Sequence, residues 1–273
     1  MAQLNLFEWD IVAVSKGFDS LARLDFNQAR SYFSRVLEAY PGHPEAGRGM
    51  RDLQVWENVL RDLEGPAEES AISLFWDKIG TFHFRNSESY QNLWHSLIKH
   101  LLTLFDGRAT LYTPPDLCSG YLYLQLKDYS AAESHLRVLV ESLPENGRLH
   151  GYLADAIWMQ GRQEIANTVY AKALLLTPDQ VNISSIRNPQ LAKIIQEYGP
   201  AIAPIIGFME GLLPLIKQDI APTTQEARTY EILWKAERAR LFGIHDEMVA
   251  ARADLKTIAP EIFQDYLDWL VIE

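Results

Sequence analysis

The sequence has a single cysteine among 273 residues, Cys118, and this excludes an internal disulfide framework. Nothing near it resembles the spacing of a metal-ligand motif. We therefore predict that Cys118 is a packed thiol at the start of a helix. A reactive thiol is the less favoured alternative.

Positive charge is also scarce, since 25 Lys and Arg stand against 36 Asp and Glu and the formal net charge is −11. A negative chain is repelled by a phosphate backbone, so we predict that the protein does not bind nucleic acid. Residues 1–10 carry acids early and have no basic segment ahead of an apolar run, unlike a secretory signal. We expect a cytoplasmic protein.

The most apolar stretch, residues 199–216, is shorter than the roughly 20 consecutive apolar residues that a membrane span needs. It contains Glu210 and is interrupted by Pro200, Pro204 and Pro214. Because proline removes a helical hydrogen bond, we predict a kinked helix that is buried beside the rest of the protein. Contact with a membrane surface or with a partner is the alternative, and we regard membrane contact as unlikely.

Familiar catalytic motifs are missing as well. The sequence has no glycine-rich phosphate-binding loop and no Gly-x-Ser-x-Gly nucleophile turn. His83, His95 and His100 come nearest to a metal cluster, but His95 and His100 are five residues apart and do not share one helical face well. We predict no enzymatic activity, no cofactor and no metal, and keep an enzyme with a site around these histidines as a distant alternative.

What the sequence does contain is one helix-turn-helix pattern written twice between Leu117 and Pro178. The matching positions, each 34 residues apart, are Gly120 and Ala154, Ala132 and Ala166, and Pro144 and Pro178. A fixed period of this length is typical of stacked helix pairs that bury their apolar faces against their neighbours. Small residues allow two helices to approach closely, and proline ends the second helix of each pair.

These residues resemble the tetratricopeptide repeat (TPR) family. Its pattern of Leu-Gly-x-x-Tyr in one helix, followed by Ala-x-x-x-Phe and Pro in the next, is met at Gly120, Tyr123, Ala132 and Pro144. The second copy keeps Leu153, Ala154, Ala166, Tyr170, Ala173 and Pro178. The resemblance implies an all-α fold, a TPR-like α-α superhelix. This is a right-handed α-solenoid of antiparallel helix pairs whose concave face holds peptides or protein segments.

We predict a single TPR-like α-solenoid over residues 1–273, with irregular helices in the middle and near 180–222. Its parts are an N-terminal repeat at 4–43, degenerate helices at 44–112, the two best-formed repeats at 113–178, an irregular apolar helical segment at 179–222, and a worn repeat with a terminal helix at 223–273. In the worn repeat Gly243 and Pro260 lie 82 residues after Gly161 and Pro178. Met248 replaces the small alanine there, so its two helices should pack further apart.

Helical periodicity predicts the individual helices as well. The predicted ranges are 4–22, 26–39, 44–63, 67–79, 88–105, 188–198, 224–241, 245–258 and 261–270. The loop before residue 88 is unusually aromatic, and we predict that Phe82 and Phe84 pack into the protein. An exposed contact patch is the alternative.

The resemblance also implies which residues face the groove, because the first helix of each TPR-like pair lines the concave face. Transferred to this sequence, the predicted partner-binding residues are Phe18, Tyr121, Leu124, Gln125, Arg148, Asp155, Trp158, Met159, Glu237 and Arg240. Tyr121 and Trp158 are large apolar groups of the kind that dominate binding energy at interfaces. Burial under neighbouring helices is the alternative. Arg148 alone resembles the basic groups that hold a carboxylate in this family, so that binding mode is not expected.

These observations predict a protein-interaction scaffold, an adaptor or chaperone-like binder that holds a peptide or protein segment. The alternative is a structural subunit whose groove and apolar segment are permanently covered by another chain or by a second copy, in a possible homo-oligomer.

Overall fold

The computed structural model describes residues 9–63, 69–218 and 221–272. Within these ranges the chain forms fourteen α-helices, two short 3-10 helices and no β-strand. Thr113 and Leu117 form an isolated antiparallel bridge. The prediction of an all-α protein is therefore confirmed for the described part of the chain.

The helices belong to two compact units, one comprising residues 1–108 and 113–117 and the other residues 109–112 and 118–273. In the first unit the helices are α1 (Trp9–Ala22), α2 (Phe26–Ala39), α3 (Pro44–Asp62), α4 (Glu69–Thr81) and α5 (Glu88–Thr103). In the second unit they are α6 (Ser119–Gln125), α7 (Tyr129–Ser142), α8 (Gly147–Met159), α9 (Gln163–Leu176), α10 (Pro189–Tyr198), α11 (Ala203–Met209), α12 (Gln225–Phe242), α13 (His245–Ile258) and α14 (Pro260–Ile272).

The helix boundaries follow the sequence prediction closely. The predicted ranges of α2 and α13 agree at both ends, and Cys118 is the buried N-cap of α6 as expected. The predicted helix starts at residues 4 and 67 lie outside the described residues. Pro260 follows the C-cap of α13 and is also the first residue of α14, which begins one residue earlier than predicted.

Four pairs of consecutive helices pack together across a tight turn, namely α1–α2, α6–α7, α8–α9 and α12–α13, here called hairpins one to four. Each turn contains one residue in the left-handed conformation, with φ between 60° and 82°: Leu24, Lys127, Gly161 and Gly243. The backbone N–H of the next residue donates to the carbonyl five residues earlier, at 2.9–3.3 Å. The four turns therefore have the same backbone geometry, although two have a side chain where glycine would be less strained.

The second helix of each hairpin also ends in one way. The residue after the helix has φ between −146° and −129° and donates its N–H to the carbonyl four residues earlier; these residues are Tyr40, Leu143, Thr177 and Ala259. A proline follows each of them. Because the residue before a proline is disfavoured in the α-helical region, the proline determines where the helix stops.

Small residues lie where the helices approach most closely. The fully buried ring of Phe33 lies between two glycines, since a Cβ would be 2.5 Å from it at Gly17 and 2.3 Å from it at Gly49. A Cβ at Gly120 would be 2.4 Å from Leu136. These contacts agree with the packing that the sequence pattern predicts for small residues.

Hairpin four departs from the others at the alanine position. Ala29, Ala132 and Ala166 are fully buried in hairpins one to three, but the corresponding Met248 is partly exposed. Helix α13 instead buries Ala251 and Leu255. Leu255 occupies the register of the buried Val36, Leu139 and Ala173, so hairpin four departs from the others at the Met248 position and not along the whole helix.

The aromatic loop of the first unit packs against Trp56. The ring centroids of Phe82 and Phe84 lie 4.9 and 6.1 Å from that of Trp56, which is fully buried. Both phenylalanines are partly buried. The prediction that they pack into the protein is confirmed.

The apolar segment 199–216 is partly buried, with Ala203, Ile205 and Leu213 in the core, but the prediction of a kinked helix along its length was wrong. Only Ala203–Met209 is helical, and turns and extended chain follow it. Its apolar side chains join both cores of the second unit. Leu213 packs in the core around α8 and α9, while Ile205 packs with Tyr230 and Tyr266 in the core around α12 and α14.

Candidate partner-binding surfaces

Four of the predicted groove residues occupy the same position in the first helix of their hairpins, so their surroundings can be compared. This position is occupied by Phe18, Tyr121, Asp155 and Glu237 in hairpins one to four. In hairpin one the Phe18 ring is partly buried and packs against Phe33 at 5.1 Å and Tyr90 at 5.6 Å. Phe18 therefore contributes mainly to packing within its own unit.

In hairpin two the same position is occupied by Tyr121, which packs on a residue of α8 that the chain after α9 contacts. Tyr121 packs against Tyr152 with ring centroids 4.7 Å apart. The Tyr152 hydroxyl accepts hydrogen bonds from Arg148 at 3.2 Å and from Asn182 at 3.1 Å. Arg148 also donates to the Gln180 carbonyl at 3.1 Å. These contacts fasten residues 180–182 to the face that was predicted to be open.

Asp155 does not line an open groove, which corrects the sequence prediction. Its side chain is only 2% exposed and accepts hydrogen bonds from the Tyr170 hydroxyl at 2.5 Å and from the Arg187 N–H at 2.9 Å. Burial raises the pKa of Asp155 from its ordinary value of 3.8 to about 7, although these hydrogen bonds favour the charged form. The carboxyl group joins α8, α9 and the chain before α10.

Glu237 is buried in hairpin four for a similar reason, and the prediction that it faces a groove is corrected in the same way. It is 4% exposed, accepts a hydrogen bond from the Tyr266 hydroxyl, and pairs with Arg240, whose Nε lies 3.0 Å away. Arg240 in turn lies over the Trp269 ring, 5.8 Å from its centroid. Glu237 and Arg240 thus connect α12 to α14.

The remaining predicted residues are divided between core and surface. Leu124 is buried, Trp158 is partly buried and packs against the α8–α9 core, and Gln125 is partly exposed. Met159 is 41% exposed. Met159 is therefore the one predicted groove residue that is exposed, whereas Gln125 and Trp158 are partly exposed.

A different surface is far more apolar and exposed. Large apolar side chains are exposed at the end of α12, at the start of α13 and at the end of α14: Leu241 (71% exposed), Phe242 (75%), Ile244 (40%), Val249 (49%) and Val271 (87%). The Arg240–Trp269 contact holds the ends of α12 and α14 together at this place. We call these five residues the apolar end surface.

The other hairpin turns show that this surface is not required by the fold. The residue after the left-handed position is Asp25, Asp128 or Arg162 in hairpins one to three, but Ile244 in hairpin four. Asp25 and Asp128 cap the following helix, whereas Ile244 forms no such bond. Exposed contiguous apolar residues on a protein surface mark sites of contact with other molecules.

The sequence analysis missed this surface, although it carried the signal. Leu241, Phe242 and Ile244 surround a glycine that was correctly assigned to a turn, and turns are normally polar.

Two of the three histidines singled out in the sequence make contacts within the first unit. His95 Nδ1 lies 2.7 Å from the Gln91 carbonyl of its own helix, and His100 packs edge-on against Phe75 at 6.0 Å. Burial lowers the pKa of His100. In the described part of the chain no three His, Cys, Asp or Glu side chains are grouped so that they could hold a metal ion.

Comparisons with known proteins identify no family for the chain. No family model, no curated protein and no solved structure matches the chain. Across residues 9–63, 69–218 and 221–272, none of the helices has both the length and the apolar character needed to cross a membrane.

Proposed function

We propose that this protein is a binding scaffold that holds a protein partner, and that the apolar end surface of hairpin four is its main contact. The observation that carries this proposal is the exposure of Leu241 and Phe242, at 71% and 75%, at two positions where each of the other hairpins has only one apolar residue: Ala22, Leu126 or Met159. Apolar surface that stays in contact with water is unfavourable by about 25 cal/mol for each Å². A partner that covers it recovers this free energy.

The scaffold is proposed to be TPR-like. Four helical hairpins with the same left-handed turn and the same proline-marked end support this, as do the buried alanines at one register in hairpins one to three. Repeats of this kind serve as binding surfaces rather than as catalytic pockets. The proposed location remains the cytoplasm.

The partner is proposed to be a protein or peptide rather than a nucleic acid, because the chain carries a net charge of −11. Gln125, Trp158 and Met159 form a secondary proposed contact on the second unit, since they are the accessible part of the predicted first-helix face. Met159 and Trp158 can adapt to irregular apolar surfaces.

A structural role in a homo-oligomer is the second candidate, and the same apolar end surface favours it. Two copies that meet through this surface would cover it permanently. Standard stable interfaces bury about 1,600 Å² in total, so a dimer would need more contact than these five side chains.

Site-specific photo-crosslinking tests both candidates. A photoreactive phenylalanine analogue at position 242, in cells that natively express the protein, should yield an adduct with a different protein. The same analogue at Leu74, which is 71% exposed in the first unit, is the matched control and should not yield that adduct. An adduct of twice the chain mass of 31.2 kDa would favour the homo-oligomer. Equal adducts from both positions would contradict the proposed surface.

A further inference from the structure

The chain between α9 and α10 crosses the face of α8 that was predicted to line an open groove. Residues 178–187, which we call the strap, contain two short 3-10 helices, Pro178–Gln180 and Ile183–Ser185. Val181 and Asn182 are extended between them. The backbone–backbone hydrogen bonds of the strap join residues three apart, so they do not attach it to another helix.

Both ends of the strap are anchored independently of its middle. Before it, the Thr177 hydroxyl accepts a hydrogen bond from the Gly147 N–H at 2.9 Å. After it, Asn188 is fully buried, caps α10 and donates to the Asn167 side chain at 2.9 Å. These anchors do not involve residues 178–187, so they remain when the strap is lifted from α8.

Two hydrogen bonds fasten the extended part of the strap to α8. Arg148 donates to the Gln180 carbonyl at 3.1 Å, and the Asn182 side-chain amide donates to the Tyr152 hydroxyl at 3.1 Å. Residues 148 and 152 are four apart and share one face of the helix. The strap therefore directs a backbone carbonyl and a carboxamide at this face.

Gly151 on the same face leaves room for the one buried side chain of the strap. Val181 is 6% exposed, and a Cβ at Gly151 would lie 3.5 Å from its Cγ1 atom. The other nine residues of the strap are partly or fully exposed. One turn further along α8, Asp155 accepts a hydrogen bond from the Arg187 N–H at 2.9 Å. A segment that buries so little apolar surface opens locally at a low cost in free energy.

We propose that the strap occupies a peptide-binding site on α8, and that an extended segment of a partner protein takes its place when the strap lifts. The strap itself shows the chemistry that such a partner needs. It presents a backbone carbonyl to Arg148, a small β-branched side chain to Gly151 and a carboxamide to the Tyr152 hydroxyl, from three consecutive residues. The inference does not use the apolar end surface, so the two proposals can fail separately.

The strap also determines how tightly the site binds. A segment that is tethered next to its site competes at an effective concentration on the order of millimolar. The native chain should therefore bind a free copy of the strap weakly. A chain whose own strap has lost its contacts with α8 should bind the free copy well.

Fluorescence anisotropy with a labelled synthetic peptide of residues 178–187 tests the proposal. The double variant V181S/N182A weakens the strap of the protein and leaves α8 unaltered. It should bind the peptide at least tenfold more tightly than the native chain does. A control peptide that carries the same two substitutions should bind to this variant at least tenfold more weakly. Equal binding of the two peptides by the variant, or binding of neither, would overturn the proposal.

A third substitution places the site on α8. Adding Gly151→Leu to V181S/N182A fills the position of Val181 and should abolish peptide binding. Adding Gly80→Leu instead is the matched control, because a Cβ at this helical glycine meets no described atom within 4 Å, and it should leave binding unchanged. Thermal melts confirm that each variant is folded. Peptide binding that survives Gly151→Leu would show that the peptide binds elsewhere, and the proposal would be wrong.

Amide hydrogen exchange tests the opening of the strap in the native chain, without any substitution. The amides of Val181 and Ile186 should exchange at least tenfold faster than those of Tyr152 and Tyr170 in α8 and α9, because the strap opens while the helices stay folded. Equal exchange rates would show that the strap opens only when the whole unit unfolds. That result would contradict an exchangeable strap.

Discussion

Hairpins three and four have the same backbone geometry at the turn, but they bury and expose different side chains. Both have a left-handed glycine at the turn, Gly161 or Gly243, and a carboxyl group at the same position of the first helix, Asp155 or Glu237. At the corresponding positions hairpin three has one apolar residue, Met159, and two polar ones, Gln160 and Arg162. Hairpin four instead exposes Leu241, Phe242 and Ile244.

The difference shows which positions the repeat fixes and which it leaves free. The turn residue, the close helix contact and the proline after the second helix recur, because each is needed to reverse the chain or to pack the helices. The side chains around the turn do not affect that geometry. They are therefore free to become a contact surface, as in hairpin four, or to remain solvated, as in hairpin three.

The largest expected effect concerns the buried carboxyl group of hairpin three. Because burial raises the pKa of Asp155 to about 7, the folded protein holds this proton more tightly than the unfolded chain does. Its contribution to stability is present at low pH and is lost as the pH rises from about 4 to 7. The change is up to about 4 kcal/mol, at about 1.4 kcal/mol for each pKa unit.

Urea unfolding of the native chain and of Asp155→Asn between pH 4 and 7 measures this contribution. The variant should lack the loss of stability that the native chain shows in this window. Asp128→Asn is the control, because asparagine caps α7 as well as aspartate does. Identical pH profiles for the native chain and Asp155→Asn would show that the carboxyl group titrates normally.

Replacing one aromatic residue in each hairpin by alanine should change the free energy of unfolding by different amounts. Trp158 packs against a core, so Trp158→Ala should lower the free energy of unfolding by about 2 kcal/mol, less than the cost for a fully buried tryptophan. Phe242 is 75% exposed, so Phe242→Ala should change it by less than about 0.5 kcal/mol. Thermal melts of both variants decide whether either residue is available for a partner. A large loss for Phe242→Ala would mean that its side chain is part of the fold.

The two hairpins pack differently at the position that holds Ala166 in hairpin three and Met248 in hairpin four. Ala166 is fully buried, so Ala166→Leu should overpack α8 against α9 and cost about 1–3 kcal/mol. Met248 occupies the same position in hairpin four and is partly exposed, so Met248→Leu should cost less than about 0.5 kcal/mol. Chemical denaturation measures both. Equal costs would mean that the two hairpins have been aligned incorrectly.

The smallest expected effect concerns the left-handed turn residue that the hairpins have in common. A Cβ at Gly161 or Gly243 meets no neighbouring atom within 4 Å, so only the left-handed backbone opposes alanine there. Gly161→Ala and Gly243→Ala should each cost about 1 kcal/mol. Lys127→Gly, at the equivalent turn of hairpin two, should cost nothing or stabilise slightly. A tolerated alanine at either glycine would argue against a common turn.

Much of the fold could be predicted from the sequence because the repeat is local. The small residues of the helix contacts, the turns and the prolines lie within one 34-residue unit, and their spacing revealed α8, α9, α12 and α13. The segment 199–216 could not be predicted in the same way. Its conformation depends on two cores formed by distant residues, so its high apolar content indicated burial but not how few of its residues are helical.

The candidate site was harder to predict than the fold. A carboxyl group at a first-helix position looks accessible in sequence, and nothing near Asp155 or Glu237 in the chain indicates that Tyr170 or Tyr266 covers it. Val271 belongs to α14, whose end is joined to that of α12 only through contacts between distant residues such as Arg240 and Trp269. Only Leu241, Phe242 and Ile244, which are unusually apolar for a turn, could be recognised from the local sequence.

Capture of the partner with native and altered hairpin four tests the central claim most directly. The native chain, the double variant L241S/F242S and the control Leu74→Ser are immobilised in equal amounts and exposed to extract from cells that natively express the protein. Bound proteins are then quantified by mass spectrometry. We predict that one partner is lost at least tenfold with L241S/F242S and retained with Leu74→Ser. Equal recovery of every bound protein by all three chains would contradict the proposal that the apolar end surface holds a partner.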